Sequence, residues 1–179
     1  MRKKLNSESG LTLVEMLCAV VILILLGLLL NTGLEMAVRS YRSLTALSEA
    51  ELLLSTAVNA IADDLRYARN VTDEAGGVTY DSDSYGNGVR LDVDPADGQI
   101  KAYQGTAVDG KRVLKRVLST GAYGAYVVDG MKVAILPKDP PAPTDEITFT
   151  IELTVKSKDG NVLAKTPVGG VAVRCLNPK

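Results

Sequence analysis

Ser9-Gly10-Leu11-Thr12-Leu13-Val14-Glu15 decides how this chain is read. A short basic leader with Arg2, Lys3 and Lys4 precedes it, and the run Met16 to Leu30 follows without a charged side chain. Glu15 is thus an acid at the edge of an apolar helix candidate. A carboxylate at the centre of a membrane helix costs about 2.5–3.5 kcal/mol on insertion scales, and less near the interface. Such an acid marks function, and the question it poses is what neutralises it.

Residues 11–30 amount to about 30 Å of helix, the thickness of a bilayer core. The basic leader is expected to stay on the cytoplasmic side. A basic start and an apolar run also describe a secretory signal peptide or a plain signal anchor. Against the signal peptide, the Gly10-Leu11 junction precedes the apolar run and the run is long. The following Asn31-Thr32-Gly33-Leu34-Glu35 also lacks a small-x-small cleavage site. A plain anchor has no use for Glu15.

Gly10, Leu11, Thr12, Leu13, Val14 and Glu15 match, in order, the family pattern of a leader ending in Gly, an apolar residue, Thr or Ser, two apolar residues and Glu. The segment resembles the prepilin cleavage and methylation motif of type IV pilins and type II secretion pseudopilins. The resemblance implies that a membrane prepilin peptidase cuts between Gly10 and Leu11, and that the new amine of Leu11 is N-methylated. It implies that Glu15, with Thr12 beside it in the motif, serves assembly by meeting the terminal amine of a neighbouring subunit. It also implies an inner-membrane platform protein and fellow pilins as partners, with an assembly ATPase acting indirectly. Family members more often carry Phe where this chain has Leu11.

The chain has 179 residues and a formal net charge of −1. The leader carries a net +2 (Arg2, Lys3 and Lys4 against Glu8), so the remainder is near −3. No global basic excess points to a nucleic-acid binder. There is no His, which excludes His-based triads, His metal ligands and His proton shuttles. Of the two cysteines, Cys18 lies in the apolar run and Cys175 near the end. A disulfide within one chain, which needs Cα atoms roughly 4.4–6.8 Å apart, is not expected between them.

The helix is expected to continue beyond Asn31-Thr32-Gly33. Leu34, Val38, Tyr41, Leu44 and Leu47, then Leu54, Val58, Ile61, Leu65 and Ala68, recur at helical spacing and read as one apolar stripe. Residues 11–70 therefore predict one helix, about 90 Å long. Its first part (11–30) belongs to membrane or filament core, and its second (31–70) is an amphipathic segment leading into the head. Gly27 and Gly33 lower helix propensity locally. Many major pilins have a proline near here; this chain has none before Pro95.

From Val71 to Lys179 the composition turns to Gly, Asp, Ser and Tyr with period-two patterning. Val89–Val93, Gln99–Gln104, Val113–Leu118, Tyr126–Val128, Met131–Leu136, Ile147–Val155, Val162–Ala164 and Val171–Cys175 read as strands. Asp97-Gly98, Asp129-Gly130 and Asp159-Gly160 read as turns, and Pro140-Pro141-Ala142-Pro143 as a linker. The expectation is an α+β fold, a long N-terminal helix on an antiparallel sheet, pilin-like in layout. The final Val-Ala-Val-Arg strand and the Asp63-Asp64-Leu65-Arg66-Tyr67-Ala68 helix end are similar to J-class minor pseudopilins and W-class minor pilins, which favours a minor subunit.

Asp81, Asp83 and Gly86, with Asp92 at the twelfth position, partly follow calcium-loop spacing. Tyr85 stands where an acid or amide is expected, and a solvated Asp/Ser/Gly turn is the preferred reading. No other cofactor is implied. Lys111-Arg112 and Lys115-Arg116 form a basic cluster; an exposed ribbon face is preferred over contact with nucleic-acid phosphates. No nucleophile constellation assembles from spacing, so catalysis is not expected. The functional expectation is a membrane-anchored filament subunit, its head outside the cytoplasm. It would serve secretion, adhesion, motility or DNA uptake. The alternative is a signal-anchored extracytoplasmic binding module that never polymerises.

Overall fold

The computed structural model describes residues 12–74, 77–104, 112–136 and 146–176. The chain divides into two compact units, residues 1–45 and 46–179. Helix α1, Leu13–Arg66, belongs to both.

In the first unit α1 is uninterrupted through Gly27, Asn31 and Gly33. Thr32 holds the turn there, its hydroxyl donating to the carbonyls of Leu28 (3.1 Å) and Leu29 (3.0 Å). The apolar side chains from Leu13 to Leu30 are exposed, and by length and composition this helix is able to cross a membrane. The single stripe expected along α1 does not hold. Leu34, Val38, Tyr41 and Leu44 are exposed, whereas burial begins at Ala50 and continues through Leu53, Ala57, Val58, Ile61 and Leu65. The second set joins the core that the sheets of the second unit form.

The helix also ends earlier than the expected Asn70. Its last turn tightens, with Tyr67 and Ala68 amides on the carbonyls of Asp64 and Leu65 (both 3.3 Å), and the free carbonyl of Arg66 accepts the Leu176 amide at 2.7 Å. Asn70 is left-handed (φ 48°), a conformation Asn tolerates better than most residues, and it sits where the pairing register of the first strand shifts between Arg69 and Thr72.

The second unit contains two antiparallel sheets, not the one expected. The first runs in chain order: β1 (Arg69–Glu74), β2 (Gly77–Ser82), β3 (Gly86–Val93), β4 (Ile100–Gln104) and β5 (Arg112–Arg116). After the single turn α2 (Thr120–Tyr123) come β6 (Tyr126–Ile135), β7 (Thr148–Ser157), β8 (Val162–Lys165) and β9 (Val171–Arg174). β7 is central, with β6 on one side and β8 and β9 sharing the other.

Asp129-Gly130 is a correction. The two short strands expected on either side of a hairpin are one strand, β6. Val128 faces Val155 and Met131 faces Leu153, so Asp129 and Gly130 together oppose Thr154. Gly130 has φ 75°, and a glycine in this region is what a β-bulge accommodates. The long partner β7 keeps both halves of β6 in one ladder.

Alternation on the strands builds one core. Val78, Tyr80, Val89, Leu91, Ile100 and Ala102 of the first sheet join Phe149, Ile151, Leu153, Val155 and Val173 of the second, together with the buried face of α1. The Val128 amide of β6 donates to the Gly98 carbonyl in the β3–β4 turn (2.9 Å), and the Ile100 amide of β4 donates to the Tyr123 hydroxyl of α2 (2.8 Å). The Pro140–Pro143 linker lies outside the described residues.

Candidate functional site

The apolar helix begins on a capping box. Thr12 Oγ1 accepts the Glu15 amide at 3.3 Å, while Glu15 Oε2 accepts the Thr12 amide at 2.8 Å and the Thr12 hydroxyl at 3.0 Å. This reciprocal arrangement occupies two amides that a helix start leaves without partners. Its signal in the sequence is Thr-x-x-Glu at residues 12–15, a capping role that the expectation of a terminal-amine partner for Glu15 does not include. Glu15 is exposed, with Leu13, Val14 and Met16 exposed around it. The cap gives the carboxylate two hydrogen bonds, and no counter-ion for it stands among the described residues. Gly10, Leu11 and the basic leader lie outside the described residues.

The calcium candidates are placed separately. Asp81, on β2, accepts the Asn70 side-chain amide (2.7 Å) and the Gly88 amide (2.7 Å), which hold its carboxyl below the usual range. Asp83 pairs with Arg69, and Asp92, on β3, pairs with Arg90 at 3.4 Å. Among the described residues no group of three or more acids, cysteines or histidines is gathered for a metal. In the basic cluster, Lys115 and Arg116 lie on the edge strand β5, and Arg116 donates to Thr120 (2.7 Å). Leu114 packs against the core; Lys111 lies outside the described residues.

A cleft of about 780 Å³ lies among residues 92–98, 127–131 and 156–160. Its charges are largely paired: Lys156 bonds Asp129, and Lys101 bonds Asp94 (2.5 Å) and Asp97 (2.8 Å). The hydrogen bond between Lys101 and Asp94 raises the pKa of the amine and lowers that of the carboxyl. The triad closes the β3–β4 turn. A second network ties helix to sheet: Tyr80 and Ser82 hydroxyls both donate to Asp64 at 2.6 Å. Burial, with Asp64 beside it, pushes the Tyr80 phenol well up. Both cysteines are free; buried Cys175 donates its thiol to Ala68 carbonyl at 3.2 Å, and Cys18 is exposed.

Comparison with protein-family models, curated proteins and solved structures gave no match to this chain.

Proposed function

We propose that the chain is a prepilin-like subunit of a type IV filament machine, a pilus or a secretion or competence pseudopilus, and within it a minor subunit. The observation that carries this reading is Glu15: an acid in the first turn of an apolar helix, five residues beyond a Gly-Leu junction that follows a basic leader. Trimming at Gly10 places a positive, N-methylated amine on Leu11, one helical turn from Glu15. Pairing across subunits then supplies the counter-ion that the Thr12 cap lacks. Breaking a buried ion pair by removing one partner costs about 3–5 kcal/mol.

On this reading the subunit waits in the cytoplasmic membrane with its head outside. It is trimmed by the peptidase, and platform protein, fellow pilins and an indirectly acting ATPase draw it into a filament. It performs no catalytic step and requires no metal.

The test is co-expression with a prepilin peptidase and mass spectrometry of the mature N-terminus. The expected product begins at N-methyl-Leu11. Glu15→Ala is expected to be trimmed normally but recovered poorly in sheared filaments. An intact leader, or normal incorporation of the Glu15 variant, overturns the reading; the intact leader favours the non-polymerising anchored module.

A further inference from the structure

Asn87 is the one asparagine in the chain that a glycine follows. It stands on β3 close to the β2–β3 turn, exposed, its side-chain amide making no hydrogen bond among the described residues. Gly88 offers an unshielded backbone nitrogen, since even a Cβ on this residue would meet nothing within 4 Å. An asparagine side chain and the next backbone nitrogen are the two halves of a five-membered ring. Closing it requires that the nitrogen shed its proton and turn onto Asn87 Cγ.

The fold holds that nitrogen back. Tyr80 pairs with Val89 and Ser82 with Gly86, so Asn87 and Gly88 together oppose Asp81 in an irregular stretch of the ladder. The Asp81 side chain makes the bond there: its Oδ1 accepts the Gly88 amide at 2.7 Å. Asn70 steadies the clamp by donating to Asp81 Oδ2 at 2.7 Å. The carbonyl of the same Asn87–Gly88 peptide accepts Gln104 Nε2 at 3.2 Å. One peptide plane is thus pinned at both ends, from β2 and from β4. A nitrogen losing its proton would also face a carboxylate, and like charges oppose that loss.

We propose that Asn87 is a self-modification site, converted through a succinimide to aspartate or isoaspartate, and restrained in the native head by Asp81 and Gln104. In the first step the Gly88 nitrogen bonds to Asn87 Cγ, the Cγ–Nδ2 bond breaks, and the proton from the nitrogen leaves with Nδ2 as ammonia. Water then opens the ring at either carbonyl. Opening at the backbone carbonyl leaves isoaspartate, which puts an extra carbon into the main chain of β3. Either product adds a carboxylate opposite Asp81. Loss of ammonia makes the change one-way, so it records how often the β2–β3–β4 side of the head opens. The inference stands apart from the subunit reading, since it concerns the head alone.

The test incubates the full chain in detergent near neutral pH and follows the Asn87 peptide by mass spectrometry, with methylation by an isoaspartate methyltransferase as second readout. The same chain in urea gives the unrestrained rate. The native chain is expected to convert at least roughly tenfold more slowly, the factor that a hydrogen bond to a charged acceptor supports. Asp81→Ala is expected to recover most of that factor. Gln104→Ala removes one neutral bond from an exposed side chain and is expected to speed conversion roughly two- to fivefold. Near-UV circular dichroism checks that each variant is folded; should Asp81→Ala unfold the head, Gln104→Ala carries the test. Asn161, followed by Val162, is the internal reference and is expected to remain an amide. Native conversion at the urea rate overturns the restraint, as does an unchanged rate in the folded variants. Slower conversion in Asp81→Ala overturns it too, by making Asp81 the base that draws the proton. An Asn87 that stays intact even in urea overturns the site itself.

Discussion

Gly98→Ala is expected to destabilise the head far more than a surface glycine change should. Gly98 has φ 64°, and a Cβ there would lie 2.6 Å from Val127 Cβ and 3.0 Å from its Cγ1. The left-handed conformation alone costs a residue with a Cβ roughly 1–2 kcal/mol, and overpacking typically adds about 1–3 kcal/mol. The sum is roughly 2–5 kcal/mol. The clash also falls on the bond between the β3–β4 turn and β6, since Gly98 carbonyl holds the Val128 amide at 2.9 Å.

Gly88 is the internal control. Its φ is 62°, nearly that of Gly98, but a Cβ on Gly88 would meet nothing within 4 Å. Gly88→Ala is therefore expected to lose only the conformational part, roughly 1–2 kcal/mol. Thermal unfolding of the full chain in detergent, followed by tyrosine near-UV circular dichroism, separates the two. At about 4 °C per kcal/mol for a head of this size, the Tm drops by roughly 8–20 °C for Gly98→Ala and roughly 4–8 °C for Gly88→Ala. Val127→Ala is not expected to rescue Gly98→Ala, because alanine keeps the Cβ at 2.6 Å. Equal Tm losses for the two glycine variants would refute the argument that the sheets approach too closely for a side chain at residue 98.

Thr12→Val removes the hydroxyl that caps α1 and bonds Glu15; about 0.5–2 kcal/mol of local helix stability should go with it, seen as faster hydrogen exchange in the first turn while Thr12→Ser stays near wild type. The Lys101 triad gives a signed pH dependence. Asp94 has a lowered pKa, so its contribution is present above the unfolded carboxyl value and fades as pH falls through the folded one. Lys101 has a raised pKa, so its contribution is complete below the unfolded amine value and is lost as pH rises through the folded one. Stability from the triad should therefore plateau between about pH 4 and pH 10, and Lys101→Met should flatten the acid limb; an unchanged limb in urea titrations counts against it. Cys175, 3% exposed, should react with a thiol reagent only at the rate of unfolding. Fast labelling of the native chain would show that the C-terminal clasp on Ala68 opens locally.

How much of this fold is readable depends on how loudly each residue pattern speaks. β3 and β7 are visible because their apolar residues alternate, as in Phe149, Ile151, Leu153 and Val155, and β4, β8 and β9 because short apolar stretches stand beside turn signals. β1 and β2 are not. β2 buries only Val78, Tyr80 and Ser82, and β1, Arg69–Glu74, has little apolar character. Their pairing depends on tertiary neighbours such as Asp64, which Tyr80 and Ser82 both bond. Asp129-Gly130 carries a true signal for positive φ, but a bulge and a hairpin share that requirement, and only the length of β7 decides between them. The α1 periodicity is real on both sides of residue 47, yet spacing alone does not say which row finds a sheet. At the candidate site the odd acid is legible at once. Its cap is less so, because Thr12 and Glu15 satisfy a family pattern and a local hydrogen-bond pattern with the same two side chains.

That cap bears on how a subunit would choose a filament over a bilayer. Fourteen large apolar side chains between Leu13 and Leu30 are exposed in the isolated chain. Burying each is worth about 1.5–3 kcal/mol, so covering them amounts to ~20 kcal/mol or more. That quantity forces the helix into some apolar surrounding but does not say which, since lipid tails are as apolar as neighbouring leucines. On the subunit reading, transfer from membrane to filament core leaves this term nearly unchanged, and the choice falls to directional terms. The Thr12 cap satisfies Glu15 hydrogen bonds in either setting, so it does not discriminate. A counter-ion for Glu15 does. Removing Thr12 hydroxyl should thus weaken the helix start in membrane and filament alike, whereas removing Glu15 should shift the balance between them.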